Sequence, residues 1–314
     1  MTDTKCKVAV LTPVGPGAQE IRRLQDLADS IACYEPQVAW FVLIDDSVEP
    51  RGLDRTIRCH AVCRVVSLAN PRTGRGRGWS GGLAVGVMAG LRWILENTDA
   101  AFVVRLDTDS LVIGPFAEKI ARAFDDNARV GMLGSGYRKT PRRAVRLADR
   151  PVTWIQKKLL RPFALWRRRR PWEAVQIGGL GHRGPIRRVL RRAAKNGYEL
   201  GSFCQGGGYA LRRDTLSRMA EAALLKNPLM WLKAPFGEDI TVSVCVKAAG
   251  DELADFNDDG EVFGVQSLGL PNSPERLVKR GFSIIHSVTR YRDFSETDIR
   301  RYFRCRLLLD GEPV

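Results

Sequence analysis

Apolar residues along this chain fall into two rhythms. Short unbroken runs close on proline, glycine or acid: VAVL at 8–11 before Thr12-Pro13 and Gly15-Pro16-Gly17, WFVLI at 40–44 before Asp45-Asp46-Ser47, AFVVRL at 101–106 before Asp107-Thr108-Asp109, and Val130 to Leu133. Runs this short, bounded by turn formers, predict strands buried on both faces. Ala61 to Leu68 reads as another. Between them the spacing changes to that of a helix: Ile21, Leu24, Leu27, Ala28 and Ile31 recur with polar residues between, Gly81 to Leu95 carries small residues on one side, and Phe116 to Phe124 follows. Strand and helix alternating through short links predict an α/β fold with a doubly wound, mostly parallel sheet.

After Gly136 the pattern breaks. Around Trp154 to Trp166 the apolar Trp154, Ile155, Leu159, Leu160, Phe163 and Trp166 interleave with Lys157, Lys158 and Arg161, and Pro162 bends or ends any helix there. Ile186, Val189, Leu190 and Ala193 oppose Arg187, Arg188, Arg191 and Arg192, which predicts a short basic amphipathic helix stopped near Asn196-Gly197. The regular pattern then resumes. Phe203 to Leu211 reads as a strand or tight approach through Gly206-Gly207-Gly208, and a helix capped by Asp214 or Thr215 runs to Leu225. Gly237-Glu238-Asp239 opens a helix over 240–249, Ser283 to Ile285 leads into His286, and Ser295 with Asp298 three residues on forms a capping-box variant for a last helix. No internal repeat is visible.

Composition sharpens this picture in three places. The hydrophobic fraction of 44% is that of a chain with a real core. The net charge is +15, yet positions 138–195 alone hold 19 Lys/Arg against two acids, Asp149 and Glu173. The basicity therefore belongs to one segment on a near-neutral scaffold, and its partner is expected to be anionic: a phospholipid surface, a lipid-linked phosphate or nucleic acid. No nucleic-acid recognition motif accompanies it. The seven cysteines are irregularly spaced without CxxC; Cys59-His60 with Cys63 is the one cluster and lacks a second ligand pair, so buried free thiols in a reducing compartment are expected. Neither a signal-peptide run nor about 18 consecutive apolar residues occurs, so a cytoplasmic protein, peripheral at the inner face of a membrane, is the expectation.

Two strands end in paired acids, and in open α/β sheets ligands bind at the carboxyl ends of strands. Asp107 and Asp109, at i and i+2, can share a hard divalent cation, Mn²⁺ or Mg²⁺, that leaves positions for phosphate; a solvated turn offers the same spacing. Glu238 and Asp239 at a helix start can serve chemistry, or merely favour the first turn through its dipole. His286 follows an apolar run and could complete a metal site. Arg72 to Gly78 (RTGRGRG), with Arg75 and Arg77, suits phosphate oxygens but lacks the Gly-Lys-Ser/Thr of a nucleotide-triphosphate loop.

Taken in order, these segments resemble the GT-A glycosyltransferases, in particular the large inverting family called family 2. VAVLTPV (8–14) is similar to its first strand and nucleoside loop, WFVLIDDS (40–47) to its second strand, and GLAVGVMAGL (82–91) to its next helix, with Val87-Met88 where that family has Arg-Asn. FVVRLDTDSLV (102–112) looks like its metal-binding strand, and GGGYALRRDTL (206–216) followed by FGEDITVSVCVKAAG (236–250) like its acceptor side. The resemblance implies a GT-A fold with a basic helical insertion at about 138–200. It implies a nucleotide-sugar half over 1–113, an acceptor half over 114–290 and a C-terminal helix over 291–314. It further implies donor contacts from Pro13, Val14, Asp46 or Asp45, Arg75, Arg77 and Asp107, and metal ligation by Asp107, Asp109 and His286. Asp239 is the implied catalytic base, and Gly207, Gly208, Trp231 and Glu238 the acceptor surface. The implied reaction moves a sugar, with inversion, from a nucleoside-diphosphate sugar (a UDP-sugar favoured) to an acceptor hydroxyl on a glycan or lipid-linked acceptor. A retaining transferase, a nucleotidyltransferase and a non-catalytic adaptor are the competing readings; Val14-Gly15-Pro16-Gly17 lacks the basic residue a nucleotidyltransferase needs there.

Overall fold

The computed structural model describes residues 7–60, 62–76, 78–136, 184–199, 201–234 and 236–310. The chain forms an α/β fold around a seven-stranded sheet. Strands β1 (Val8–Val14), β2 (Val38–Asp45), β3 (Arg64–Ala69) and β4 (Phe102–Leu106) run parallel in the order β3-β2-β1-β4. The sheet continues through β7 (Cys204–Arg212), β6 (Val130–Gly136) and β8 (Glu252–Asp255). Of these β7 alone is antiparallel to its neighbours, β4 on one side and β6 on the other. A smaller sheet joins β5 (Leu111–Val112), β10 (Ile284–His286) and β9 (Phe263–Val265). A hairpin of β11 (Arg290–Tyr291) and β12 (Phe294–Ser295) precedes the last helix.

Period-two alternation sends neighbouring side chains of each strand into different cores. Ala9, Leu11, Val42, Ile44 and Val103 face one layer, built on α3 (Leu83–Asn97), α5 (Pro185–Lys195), α6 (Arg213–Glu221) and α7 (Glu238–Ala249). Val8, Val10, Phe41, Leu43, Phe102 and Val104 face the other, built on α1 (Ala18–Tyr34), the short α2 (Leu53–Thr56) and α4 (Ala117–Asp126). A third cluster gathers Leu111, Leu277, Ile285, Ile299 and Phe303 beneath α8 (Pro274–Lys279) and α9 (Glu296–Asp310).

The small residues of α3 let it approach the sheet closely. A side chain at Gly90 would stand 2.6 Å from Leu11 Cδ1 and 2.9 Å from Ile44 Cδ1, and one at Gly86 would stand 2.8 Å from Asn70 Nδ2. Val87 and Met88 on this helix are wholly in the core. The amphipathic pattern of α5 is likewise explained by packing. Ile186, Val189, Leu190 and Ala193 belong to the core against α7, while Arg187, Arg188, Arg191 and Arg192 are exposed. Asn196 ends the helix and donates to the carbonyls of Lys247 (2.9 Å) and Ala248 (3.3 Å) in the last turn of α7. The apolar face of this piece is therefore covered by protein, which leaves its basic face, including Lys195, exposed. Its companion around Trp154 to Trp166 lies outside the described residues.

Several local expectations are met and some are not. Ser295 N donates to Asp298 Oδ2 (3.1 Å) and Asp298 N to Ser295 Oγ (3.3 Å), the reciprocal bonds of a capping box. By contrast, α6 starts at Arg213 with neither Asp214 nor Thr215 as its cap, and it stops at Glu221 rather than Leu225, where Ala223 takes φ +58°. Cys204 and Cys245 are buried, Cys33, Cys59 and Cys63 partly so, and Cys305 is exposed, which departs from the expected burial of all thiols. A remote carboxylate starts α4: buried Glu35 accepts from Phe116 N and Ala117 N, both at 2.8 Å. No helix among the described residues is long and apolar enough to cross a membrane.

Replacing Gly90 by Val should destabilise the protein by about 1–3 kcal/mol, because overpacking against Leu11 and Ile44 outweighs any gain in helix propensity. Urea unfolding of the variant beside the parent checks this through the midpoint.

Candidate functional site

The site begins at the end of β4. Asp107 and Asp109 flank Thr108, whose hydroxyl donates in the other direction, to Glu20 Oε2 of α1. The turn is tied by Ser110, with N to Asp107 O at 3.1 Å and Oγ to Gly207 O at 2.6 Å. His286, at the end of β10, stands against both acids: Nε2 lies 3.2 Å from Asp109 Oδ1 and 3.5 Å from Asp107 Oδ2. One ligand atom from each of the three residues falls within 4.8 Å of the others.

The surroundings orient this triad. His286 Nδ1 is 3.0 Å from the Gln266 carbonyl, which takes the proton on that nitrogen and turns Nε2 toward the carboxylates. Ser287 Oγ donates to Asp109 Oδ2 at 2.5 Å, and Val288 N to the Asp109 carbonyl at 3.0 Å. Gly207 makes room for the ring. Its φ is +96°, and a Cβ there would sit 2.3 Å from His286 Cγ. Gly208 is tight as well, with a Cβ position 3.0 Å from Val265 Cγ2.

Arg105 joins this acidic tip to the start of α7. It lies within β4, is 1% exposed, and reaches Asp107 Oδ1 with Nη2 (2.7 Å) and Glu238 Oε1 with Nε (3.2 Å). These are charge contacts rather than aligned hydrogen bonds, since none of its three nitrogens meets hydrogen-bond geometry. Its guanidinium also sits 5.8 Å from the centre of the Tyr209 ring, and Tyr209 OH donates to Glu238 Oε1. Asp239 beside it accepts from Ile240 N (2.8 Å) and from Gly206 N (3.3 Å). Gly206 and Gly207 are consecutive: Gly206 N holds Asp239, and the space beside Gly207 is filled by the His286 ring. The acids of β4, the helix-start acids and the late histidine thus converge around the glycine run.

Charge states follow from this crowding. Burial works to lower the His286 pKa, but Asp107 and Asp109 outweigh it and raise it to about 10. Burial would raise both aspartates; Arg105 and His286 hold Asp107 below the usual carboxylate range, and His286 does the same for Asp109. Burial lifts Glu238 to about 7 against the pull of Arg105, with Asp239 and Asp107 adding to the rise. Burial also raises Asp239, against its two backbone donors. The donor set suits a hard divalent cation: two carboxylate oxygens and an imidazole nitrogen, with Ser287 and Gln266 holding them from behind. These residues fit the metal that the Asp-x-Asp spacing implies.

The remaining expected positions divide. Pro13 and Val14 are buried in β1, and the Val14 carbonyl accepts from Asp46 N at 3.0 Å. Asp45 is fully buried and its carboxylate is occupied by Ser47 N, Arg51 N and the Arg51 guanidinium. Asp46 is the more open of the pair; Arg72 grips it with Nε to Oδ1 and Nη2 to Oδ2, both at 2.6 Å, and Asn70 Nδ2 donates to Oδ1 at 2.8 Å. Arg75 is exposed and folds back on the Arg72 carbonyl at 3.0 Å, while Arg77 lies outside the described residues. Trp231 is 0% exposed, tilted against Phe236 within the core, so no face of its ring is open to an acceptor. Sequence reasoning passed over Arg105, and it placed Arg72 in a phosphate-suited loop, whereas the Arg72 guanidinium is held by Asp46. The signal for Arg105 was a lone cation inside an apolar strand, which must be paired if the strand is buried.

No family model matches the chain, and no curated protein matches it in sequence. Among solved structures it is similar to a galactosyltransferase, LgtC, in complex with donor and acceptor sugar analogues, at 10% identity over 98% of this chain and 97% of that one, with a TM-score of 0.46. At that score the likeness assigns neither activity nor substrate to this chain.

Two outcomes test the site. Gly207→Ala should weaken Mn²⁺ binding by about tenfold or more, because its Cβ displaces the His286 ring, whereas Gly208→Ala should have the smaller effect. Metal must displace the Nε2 proton, so Mn²⁺ affinity should rise from about pH 6 to about pH 8 and release protons as it binds. Calorimetry in buffers of different ionisation enthalpy reads both.

Proposed function

We propose that this chain is a metal-dependent glycosyltransferase of the GT-A class that moves a sugar, with inversion, from a nucleoside-diphosphate sugar to an acceptor hydroxyl. The observation that carries the reading is the convergence of Asp107, Asp109 and His286 with Glu238 and Asp239 around one glycine run. A divalent cation held by Asp107, Asp109 and His286 would neutralise charge on the departing diphosphate.

The chain's own groups supply the rest. Asp239 is the better base of the helix-start pair, because Glu238 is 3% exposed with Oε1 engaged by Tyr209 and Arg105. Burial raises the affinity of Asp239 for a proton, which suits a group that must take one from the acceptor hydroxyl. Gly206 N and Ile240 N keep its carboxylate in place. A single base facing the anomeric carbon from the side opposite the leaving group gives inversion. On the donor side, the bidentate grip of Arg72 on Asp46 shapes the loop beside the ends of β1 and β2, where a uracil or other base would lie. The exposed arginines of α5, on the helix packed against α7, support an acceptor carried on an anionic or lipid-linked carrier at the inner face of a membrane.

Titration with UDP should show binding that requires Mn²⁺ and vanishes in Asp109→Ala. Absence of metal-dependent binding of UDP, GDP and dTDP alike overturns the donor assignment. Asp239→Asn should keep metal-dependent UDP binding and lower the turnover of a sugar nucleotide by about 10²–10⁴. Single-turnover assays across a panel of UDP-sugars and simple glycan acceptors check this.

A further inference from the structure

Far from the acidic crevice, the loop leading into β3 brings together three ligand-type side chains of a different character. One ligand atom from each of Cys59, His60 and Cys63 lies within 4.8 Å of the others. We propose that Cys59, His60 and Cys63 form a second metal site, selective for a thiophilic ion such as Zn²⁺.

Several observations support it together. Two sulfurs and an imidazole nitrogen are the donors that Zn²⁺ prefers in tetrahedral sites, and they are poor ligands for Mg²⁺ or Mn²⁺. His60 Nε2 is closed off from solvent and has no hydrogen-bond partner among the described residues, an arrangement that costs free energy unless something occupies the nitrogen.

The loop is also built to hold this shape. Gln25 of α1 clamps the peptide groups of Arg58, donating to its carbonyl at 3.0 Å and accepting from its N–H at 3.1 Å. Cys63 N donates to the His60 carbonyl at 3.0 Å, which closes the turn, and Cys63 packs against the core beneath α1. Gln25 in turn holds Asp29, one helical turn on, at 2.7 Å. Three protein ligands leave one tetrahedral position for water or an incoming group. The role this geometry supports is a clamp between α1 and the start of β3. It stands at the opposite end of that strand from Asn70 and Arg72, so it would act on the strand rather than on the reaction.

The test uses the full chain, stripped of metal and kept under a phosphine reductant, and titrated with Co²⁺ and then Zn²⁺. Expected is one Co²⁺ per chain that produces thiolate-to-metal charge-transfer absorption, is displaced by Zn²⁺, and survives Asp109→Ala and Cys305→Ser. That absorption should be lost in Cys59→Ser/Cys63→Ser, while the double variant keeps its circular dichroism and its Mn²⁺-dependent UDP binding. His60→Ala, with both cysteines intact, should lower Zn²⁺ affinity at least about tenfold and serves if the double variant fails to fold. Absorption that is missing in the parent, or unchanged in both variants, overturns the proposal. So does a parent protein with both thiols free under reductant, shown by mass spectrometry, that takes up no metal at them.

Discussion

A guanidinium fully enclosed by protein is tolerable only if negative charge surrounds it, and the Arg105 guanidinium meets that condition through two acids from different parts of the chain. Asp107 comes from the tip of its own strand and Glu238 from the start of a helix packed over the sheet. The contact therefore does more than neutralise a buried cation. It sets the distance between the edge that can hold a metal and the edge that can take a proton. It also lets several carboxylates crowd together: Arg105 pulls against the burial and mutual repulsion that raise Glu238 and Asp239, and without it both would rise further.

The strand beside it completes the arrangement with a run of three glycines. Gly206, Gly207 and Gly208 lie on β7, the one antiparallel strand in the main sheet, between β4 and β6. Its reversal brings the glycine run level with the end of β4, as the pairing of Gly208 with Leu106 shows. Backbone then takes the place of side chains: Gly206 N holds Asp239, and Gly207 leaves the volume that His286 fills. The two candidate metal centres differ in hardness in a way that keeps them independent. Carboxylates and one imidazole line the crevice, while thiols and one imidazole lie behind α1.

Acidic residues at the ends of β2 show how similar sequence neighbours acquire different duties. Asp45 points into the protein and anchors the following loop through Arg51 and Ser47. Asp46 points toward the loop after β3 and fixes Arg72. Each is an ion pair with a structural effect, and Asp46 is the more open of the two.

Much of this was legible along the chain because it depends on residues a few positions apart. The alternation of apolar runs and helical spacings located β1 to β4, α1, α3 and α4, and the Ser295–Asp298 pair announced α9. The Asp-x-Asp spacing and the helix-start acids marked the candidate chemistry for the same reason. What the linear pattern could not contain is partnership at long range. The direction of β7, the joining of Asp107 to Glu238 through Arg105, the burial of Trp231, and the hold of Arg72 on Asp46 all depend on register and packing between distant segments. Periodicity tells which face of an element is buried, but it carries no information about which other face covers it; that is decided only when the sheet closes and each buried charge must find its counter-charge.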